Sequence, residues 1–458
     1  MIHTFSINGR NIVVDVNSGA VHTVDGVAMA LISFLDKKFG GLPPEGILFD
    51  EIFDTLSEYP KEEVLQAYDE VSTLYKAGIL YSKDEYADLA AEIRKEPFIK
   101  ALCLHISHDC NMRCGYCFAG TGNFTGERCM MSEETGKKAV EFVIKNSGGR
   151  RNIEIDFFGG EPLMNFEVIK TLTEYIRKRE KECGKTFRLT LTTNGVLLDE
   201  DKLRFINENM SNLVLSIDGR KAVNDRMRKT DKGAGSYDVI MPRLRRAADS
   251  RNQDNYYVRG TFTRHNLDFS EDVLHLADEG FKQISVEPVV GGANSGYSIR
   301  REDLPFVFNQ YEILADEYLK RLGTDKWFNF FHFMTDLTQG PCVIKRMSGC
   351  GAGCEYVAIT PEGDIYPCHQ FVGNRDFVLG SVHDGSCDKS KMREFAAANV
   401  YTKPKCRDCW AKFYCSGGCH ANAYQFGGDI NIPYEIGCEM EKKRVECSLY
   451  IKAIQAFS

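Results

Sequence analysis

The sequence predicts an α/β protein built on a parallel sheet, and three observations carry that prediction. Between Phe98 and about Leu322, strand-like apolar runs alternate with helical stretches, an order that needs right-handed crossovers and leaves helices outside a parallel sheet. Directly after the first of these strands, Cys110, Cys114 and Cys117 fall in the spacing Cys-x3-Cys-x2-Cys. A longer cysteine array, from Cys350 to Cys438, occupies the last third of the chain.

Residues 1 to about 90 form a unit of their own. His3 to Ile7, Asn11 to Val16 and Ala20 to Val24 are expected as short strands, joined at Asn8-Gly9 and Asn17-Ser18-Gly19. Helices are expected over Val27 to Phe39, Phe49 to Leu56 and Lys61 to Gly78, where Val64, Leu65, Tyr68, Val71 and Leu74 recur at helical spacing. This pattern resembles the winged-helix-like precursor-recognition domain of enzymes that modify ribosomally made peptides, in which a leader peptide adds a strand to a sheet edge. A structural cap on the catalytic domain is the plainer alternative. A DNA-reading winged helix is disfavoured by Asp25, Asp36, Asp50, Glu51, Asp54, Glu58, Glu62 and Glu63. Tyr81 to Pro97, rich in charge, reads as a linker with some helix.

In the α/β region the expected strands are Leu102 to Ile106, Ile153 to Phe158, Phe187 to Thr192, Leu213 to Ile217, Tyr256 to Thr263 and Gln283 to Val289. Helices are expected over Glu133 to Lys145, Phe166 to Arg179, Tyr237 to Ala248 and Leu304 to Leu322. The 458 residues suffice for about three domains, here 1–90, 91–325 and 326–458. A net charge of -8 argues against nucleic-acid or anionic-membrane partners. The chain has neither a long apolar run nor a secretory-type start, so a cytoplasmic location is expected. In that reducing compartment the 17 cysteines are better read as metal ligands than as disulfides.

Three thiolates in one short loop ask for a soft metal, and a set of three suggests an iron–sulfur cubane with one iron left open. Tyr116, between the last two cysteines, supplies an aromatic face beside it. The spacing resembles the signature of radical S-adenosylmethionine (SAM) enzymes, whose unique iron takes the amino and carboxylate groups of the methionine moiety. The resemblance implies a partial (β/α)6 barrel with its chemistry at the C-terminal ends of the strands.

Phe158-Gly159-Gly160-Glu161-Pro162 follows the second strand. Paired glycines let the backbone approach a ligand, and Glu161 can accept from an ammonium. In the family this turn contacts the SAM amino group. The third strand ends in Thr192-Thr193-Asn194 and the fourth in Ser216-Ile217-Asp218, with Arg228 beyond. By resemblance, Ser216 and Arg228 contact SAM, as do Thr193, Asn194 and Asp218, the last two being equally suited to capping turns. Glu287 on the sixth strand faces either the cavity or an ion-pair partner.

The C-terminal array includes Cys350, Cys354, Gly363-x4-Cys368, then Cys406-x2-Cys409-x5-Cys415-x3-Cys419, and Cys438. It resembles the SPASM extension, which holds two auxiliary [4Fe-4S] clusters. The resemblance assigns Cys350, Cys354, Cys368 and Cys419 to the nearer cluster, and Cys406, Cys409, Cys415 and Cys438 to the farther; if only one of Cys350 and Cys354 ligates, the nearer cluster has an open iron. Cys103, Cys129, Cys183, Cys342, Cys387 and Cys447 are left as packing thiols. Sulfatase-maturing relatives place a catalytic Asp directly after the Gly-x4-Cys cysteine, where this chain has His369.

The run Ser348 to Glu355 together with Pro367-Cys-His-Gln-Phe371 is similar to the maturases of the peptides called six cysteines in forty-five residues. That likeness implies three [4Fe-4S] clusters, SAM, a precursor peptide with its leader, and an electron donor such as a ferredoxin or flavodoxin. The implied reaction joins a cysteine sulfur to a threonine carbon through a 5′-deoxyadenosyl radical, with His369 able to take or relay a proton. Peptide oxidation or epimerisation is the alternative among enzymes, and a non-catalytic peptide-binding iron–sulfur protein the alternative outside them.

Overall fold

The structure is a computed structural model that describes residues 1–41, 49–88, 90, 96–292, 295–337 and 346–456. Cys342, and Glu92 and Lys95 of the charged stretch, lie outside the described residues.

The N-terminal unit opens with an antiparallel meander of β1 (Ile2–Ile7), β2 (Arg10–Asp15) and β3 (Val21–Val24). Asn8 and Gly9 close the first hairpin at φ 49° and 73°, the left-handed pair that a tight two-residue turn needs. Helices α1 (Gly26–Phe39), α2 (Phe49–Thr55) and α3 (Lys61–Lys76) follow. Asp25 caps α1 by accepting from the Ala28 amide, and Gly40 ends it at φ 67°.

Because successive strand side chains point to opposite faces, the small sheet is covered twice. Ile2 and Val13 pack with Val27, Leu31, Val64 and Val71 of α1 and α3. Ile12 and Val14, facing the other way, join the main core together with Val445 and Leu449 of the last helix, Glu435–Ala456. His3 stacks on Trp410 at 3.7 Å and bonds Glu446 at 2.9 Å. The stretch expected as a linker also makes specific bonds: Asp84 accepts from the buried Lys412 ammonium and from the Tyr401 hydroxyl, each at 2.8 Å. A buried lysine requires an opposite charge beside it, which a solvated linker would not supply.

The main sheet is built from β4 (Ala101–Ser107), then, beyond a short β5 (Met112–Cys114), β6 (Asn152–Gly159), β7 (Thr186–Thr193) and β8 (Asn212–Ser216), and, beyond a short β9 (Arg228–Thr230), β10 (Tyr256–Phe262) and β11 (Gln283–Pro288). These long strands pair in parallel in chain order. The helices between them include α4 (Glu133–Asn146), α5 (Phe166–Cys183), α6 (Glu200–Asn209), α7 (Lys221–Met227), α8 (Tyr237–Ser250), α9 (Phe269–Asp278) and α10 (Leu304–Arg321). Ile153, Ile155 and Phe157 of β6 face the helix layer and are fully buried, while Asp156 and Phe158 face inward. Gly136 of α4 admits Leu172 of α5, whose methyl would lie 2.5 Å from an added Cβ.

Strands absent from the sequence reading extend both ends. β12 (Asn329–Phe330) pairs with β11. β13 (Tyr356–Ile359), from the last third of the chain, pairs in parallel with β4, and β14 (Asp364–Tyr366) and β15 (Gly380–Ser381) continue antiparallel from it. The sheet is therefore a single α/β half-barrel that incorporates the start of the C-terminal region.

Ile12 is fully buried between the small sheet and the main core, so Ile12→Ala is expected to lower stability by about 2–5 kcal/mol. Amide hydrogen exchange should quicken through the whole N-terminal unit while β6 and β7 keep their protection. Quickening confined to β2 would contradict a shared core.

Candidate active site

The parallel strands end at one rim, and the sequence motifs meet there. The loop after β4 carries Cys110, and β5 then pairs antiparallel with β9, placing Cys114 opposite Arg228. This two-stranded ribbon is how Arg228, more than a hundred residues away in sequence, comes to stand beside the cysteines. Cys110, Cys114, Tyr116, Cys117, Gly159, Gly160, Glu161, Thr193, Asn194, Ser216, Arg228 and His369 all line one cavity of about 210 Å³. Asp218 sits behind that wall, where both its oxygens accept from the Tyr116 hydroxyl at 2.8 Å and Oδ1 accepts from the Thr261 amide.

The glycines serve a different partner from the one their sequence suggests. A Cβ on Gly160 would lie 2.1 Å from the Asp109 carbonyl oxygen, and one on Gly159, at φ 127°, would lie 2.3 Å from the Ser107 oxygen. Amides of Gly160 and Glu161 donate to those same two carbonyls at 2.8 and 2.9 Å. The close approach that excludes a side chain is to the chain's own cysteine loop.

Glu161 is buried and largely engaged within the protein. Its oxygens accept from Leu163 N (3.1 Å), Thr193 Oγ1 (2.7 Å) and Asn194 N (2.8 Å). A carboxylate offers roughly four acceptor positions, so one remains for a ligand donor. Asn194 Oδ1 caps its turn by accepting from the Val196 amide, while Nδ2 donates to Asn111 and points at Cys110 Sγ, 3.7 Å away. Burial pushes Cys110 up to about 12 and Cys114 to about 11, Arg228 pulling the latter back, and burial raises Cys117 too. Thiols held neutral beside a buried guanidinium need a cation to become thiolates.

Arg228 donates to the Tyr116 hydroxyl at 3.1 Å, but its buried Nε has no partner among the described residues. The donor set and this unspent N–H fit a thiolate-bound iron–sulfur cluster together with a carboxylate-bearing ligand.

The opposite wall is built from the ends of β10 and β11 and from the C-terminal region. Arg259 and Glu287 pair at 2.7 Å across β10 and β11, and 48% of the Arg259 side chain is uncovered because it faces the cavity. Glu287 thus takes both positions open to it from sequence, cavity wall and ion pair. Phe118, Phe158, Val289, Val290 and Gln370 complete an apolar-to-polar surface. Their strand alternation was readable, but which strands face each other was not.

His369 packs between Phe118 and Phe158, with Nδ1 3.0 Å from the Tyr356 hydroxyl. Burial, then the Arg259 charge, lower its pKa to about 4. It is therefore a neutral hydrogen-bonding group near neutral pH.

Two further cysteine sets converge. Cys368 is buried, and the neighbouring charges of Cys419 and Cys350 follow burial in raising its pKa. Cys354 is also buried, its Sγ 3.4 Å from the Gly351 oxygen. Cys406, Cys409, Cys415 and Cys438 line one cavity of about 480 Å³. Lys403 is fully buried, donates to the Gly417 carbonyl at 2.9 Å and feels the charges of Cys406, Cys415, Cys419 and Cys438, members of both sets. An ammonium in that position fits anionic thiolate-bound clusters on either side of it.

A parallel half-barrel with three cysteines after its first strand and a cysteine-rich extension added to its edge defines the class. Residues 104–274 match the radical SAM superfamily, and residues 350–410 match the SPASM family, an iron-sulfur cluster-binding domain. The chain belongs to the radical SAM superfamily and carries a SPASM domain, an assignment that implies [4Fe-4S] clusters and SAM as cofactors. It is 30% identical over 320 residues to an uncharacterized protein of Methanocaldococcus jannaschii, covering 69% of this chain and 96% of the relative. It is 24% identical over 345 residues to the cysteine-type anaerobic sulfatase-maturating enzyme of Clostridium perfringens, covering 70% and 89%.

Among solved structures, native anSMEcpe with bound AdoMet superposes with a TM-score of 0.64 at 20% identity, over 77% of this chain and 98% of that one. Streptococcus suis SuiB bound to S-adenosylmethionine gives 0.52 at 18% identity, over 94% and 96%. Both likenesses are of fold. Among the described residues no helix is long and apolar enough to cross a membrane.

Two expectations follow from this geometry. Gly160→Ala forces the Asp109 carbonyl aside and should lower bound iron at the first cysteine set, read as iron per chain and as the loss of that set's EPR signal. Asp156, enclosed beside Thr192, is pushed up by burial to about 7. A carboxyl raised in this way binds its proton more tightly folded than unfolded, so its stabilisation is full below the ordinary carboxylate range and is lost as the pH rises through about 7. Asp156→Asn should therefore flatten the fall of the thermal midpoint over that window, and an unchanged slope would contradict it.

Proposed function

We propose that this enzyme forms an intramolecular thioether, cysteine sulfur to threonine carbon, in a ribosomally made precursor peptide. One observation carries the reading: His369 and Gln370, adjoining Cys368, line the same cavity as Cys110, Cys114 and Cys117. A peptide held there meets both chemistries in one place. Cys110, Cys114 and Cys117 would hold the SAM-cleaving cluster. Cys350, Cys354, Cys368 and Cys419, and separately Cys406, Cys409, Cys415 and Cys438, would hold two auxiliary clusters, three in all. When bound, such clusters supply one-electron chemistry: reductive cleavage of SAM to a 5′-deoxyadenosyl radical at the first set, and at the Cys368 set the uptake of a substrate thiol and of the second electron.

The protein's own side chains supply position and exclusion of water. Arg228 offers its unspent Nε–H to the methionine carboxylate, and Glu161 its remaining acceptor position to the amino group. Ser216 stands at the end of β8 on the cavity wall, suited to a ribose hydroxyl, and Tyr116 is locked by Asp218 and Arg228. The carboxylates on the wall are spoken for, Glu161 by β7 and Glu287 by Arg259, and His369 is too weak a base to take a proton readily. That arrangement favours a thiol activated by a metal over a carbon radical oxidised with the help of a carboxylate base.

For recognition, β3 pairs with β2 alone among the described residues, and His22 of β3 reaches the Ile79 carbonyl just past α3. A leader peptide added as a strand beside β3 would gain main-chain hydrogen bonds there. The solved structure of SuiB bound to the precursor peptide SuiA, which covers 93% of this chain at 17% identity, supports this reading by analogy of fold. A small electron-transfer protein, a ferredoxin or flavodoxin, is the proposed donor. Peptide oxidation, the alternative read from the sequence, is the second reading, favoured by the identity of this chain to a cysteine-type anaerobic sulfatase-maturating enzyme.

Under anaerobic conditions with reductant, SAM and precursor, the expected product is lighter by two hydrogens and has one fewer alkylatable thiol. An equally light product retaining every thiol would mean oxidation. Cys110→Ala should abolish 5′-deoxyadenosine, whereas Cys368→Ala should keep it and lose the cross-link. Equal binding of full-length and leaderless precursor would refute the β3 reading; truncation of residues 1–90 is a poorer test, since it removes Ile12 and Val14 from the main core and uncovers Val445 and Leu449.

A further inference from the structure

A second group of metal-type donors lies outside the cavity, between the barrel and the C-terminal region. His108 Nδ1, Cys129 Sγ and the Glu362 carboxylate lie within 4.8 Å of one another. Nδ1 is 3.8 Å from Glu362 Oε2, and Sγ is 2.9 Å from Oε1. None of the three lines the cavity described above. Two ligands held about 2.0–2.3 Å from one tetrahedral ion stand roughly 3.3–3.8 Å apart, which is the spacing of this group to within a side-chain adjustment.

The chain builds this arrangement firmly. The His108 amide donates to the Cys129 carbonyl at 2.8 Å, so these two residues face each other across a backbone bond. Glu362 arrives because β13 runs parallel to β4, and the turn after β13 therefore lies at the same rim as the loop after β4. That turn is closed by Gly363 N donating to the Thr360 carbonyl at 2.9 Å, with Gly363 at φ 92°. His383 Nε2 holds the Glu362 backbone oxygen at 2.9 Å.

The His108 ring is oriented from behind. Its Nε2 lies 3.0 Å from Nδ1 of the fully buried His105. Metal-bound histidines pass their second ring N–H to a partner in this way, which fixes the ring and frees the other nitrogen for the ion. His108 is 4% exposed whereas the Glu362 side chain is 50% exposed, so the group is walled on one side and open to water on the other. Cys129, expected from sequence to be a packing thiol, instead faces a carboxylate.

We propose that His108, Cys129 and Glu362 bind a zinc ion, with water as the fourth ligand. One nitrogen, one thiolate and one carboxylate form a mixed, borderline-soft set that suits zinc better than magnesium or calcium. Binding releases the Cys129 thiol proton to solvent and involves no change of oxidation state. The ion ties the residue two before Cys110 to the turn that leads to Cys368, so it fixes the distance between the SAM-cleaving and auxiliary cysteine sets.

The test uses the holoenzyme with its clusters reconstituted, loaded with zinc and washed with a weak chelator. Metal is counted per chain, and the zinc edge is read by X-ray absorption, to which iron is silent. The expected result is a single retained zinc with one sulfur and otherwise nitrogen and oxygen neighbours. Cys129→Ser should remove the sulfur neighbour, and Glu362→Gln should leave it, each lowering zinc affinity at least about tenfold with iron unchanged. Failure to retain zinc, or a shell of three or four sulfurs, which marks occupancy of the cluster cysteines, would overturn the proposal. So would zinc retained by both variants as tightly as by the unaltered enzyme, or iron lost together with zinc in both.

Discussion

The pairing of β13 with β4 is the interaction on which the rest of the site depends. It places four residues from the last third of the chain in register with the strand that launches the cysteine loop. Since the two strands are parallel, whatever follows either of them emerges at the same rim. The turn carrying Glu362 emerges by that route, and His369 and Gln370 reach the cavity after the antiparallel β14 has led the chain back along β13. A parallel pair formed across some 250 residues is bought with a large loop-closure entropy, and the sheet's continuous buried face, from Phe330 through Ile155 to Ile359, offsets it.

A second constraint operates at closer range. The rim holds two backbone segments, Ser107–Asp109 and Gly159–Gly160, nearer to each other than side chains would allow. Their mutual hydrogen bonds set the height of the cysteine loop over the sheet. Glu161, next in sequence, then ties the end of β7 to the same point through Thr193 and Asn194. Positioning therefore passes from β4 to β6 to β7 by main-chain contacts and a buried carboxylate, not by flexible side chains, which is the preorganisation a cofactor site needs.

The charge pattern follows the same economy. Within the half-barrel, Arg228 leans on Tyr116 and Asp218, and Arg259 on Glu287. In the C-terminal region Lys403 lies between two cysteine sets with a single carbonyl partner. Arg228 and Lys403, unlike the ion-paired Lys412 and Arg259, are buried beside cysteines without a direct carboxylate hydrogen bond among the described residues, and each stands where thiolate-bound iron would bring negative charge.

Much was legible in the sequence because its causes are local. The alternation of apolar runs marked the six long strands and the longer helices packed on them, α4, α5, α8 and α10, but not α6, α7 or α9. Asn8-Gly9 marked the first hairpin, and the cysteine spacings marked three groups of thiols. The wall opposite the cysteines was not legible. Phe158 and Gln370 fall in stretches that the sequence singled out for their neighbours, but their meeting with Arg259 depends on which strand ends share a rim. The glycine pair was found for a reason the structure changes, since a Cβ there would strike the protein's own carbonyls. His369 was identified by its place after Cys368, but its weak basicity comes from the enclosure by Phe118, Phe158 and Arg259. The sequence alone determined the periodicity of the elements and the identity of the donor atoms, because these follow from neighbours along the chain. The strand order, the convergence of the cysteine sets and the ionisation of buried groups were decided only by the tertiary structure, because proximity and desolvation are properties of packing.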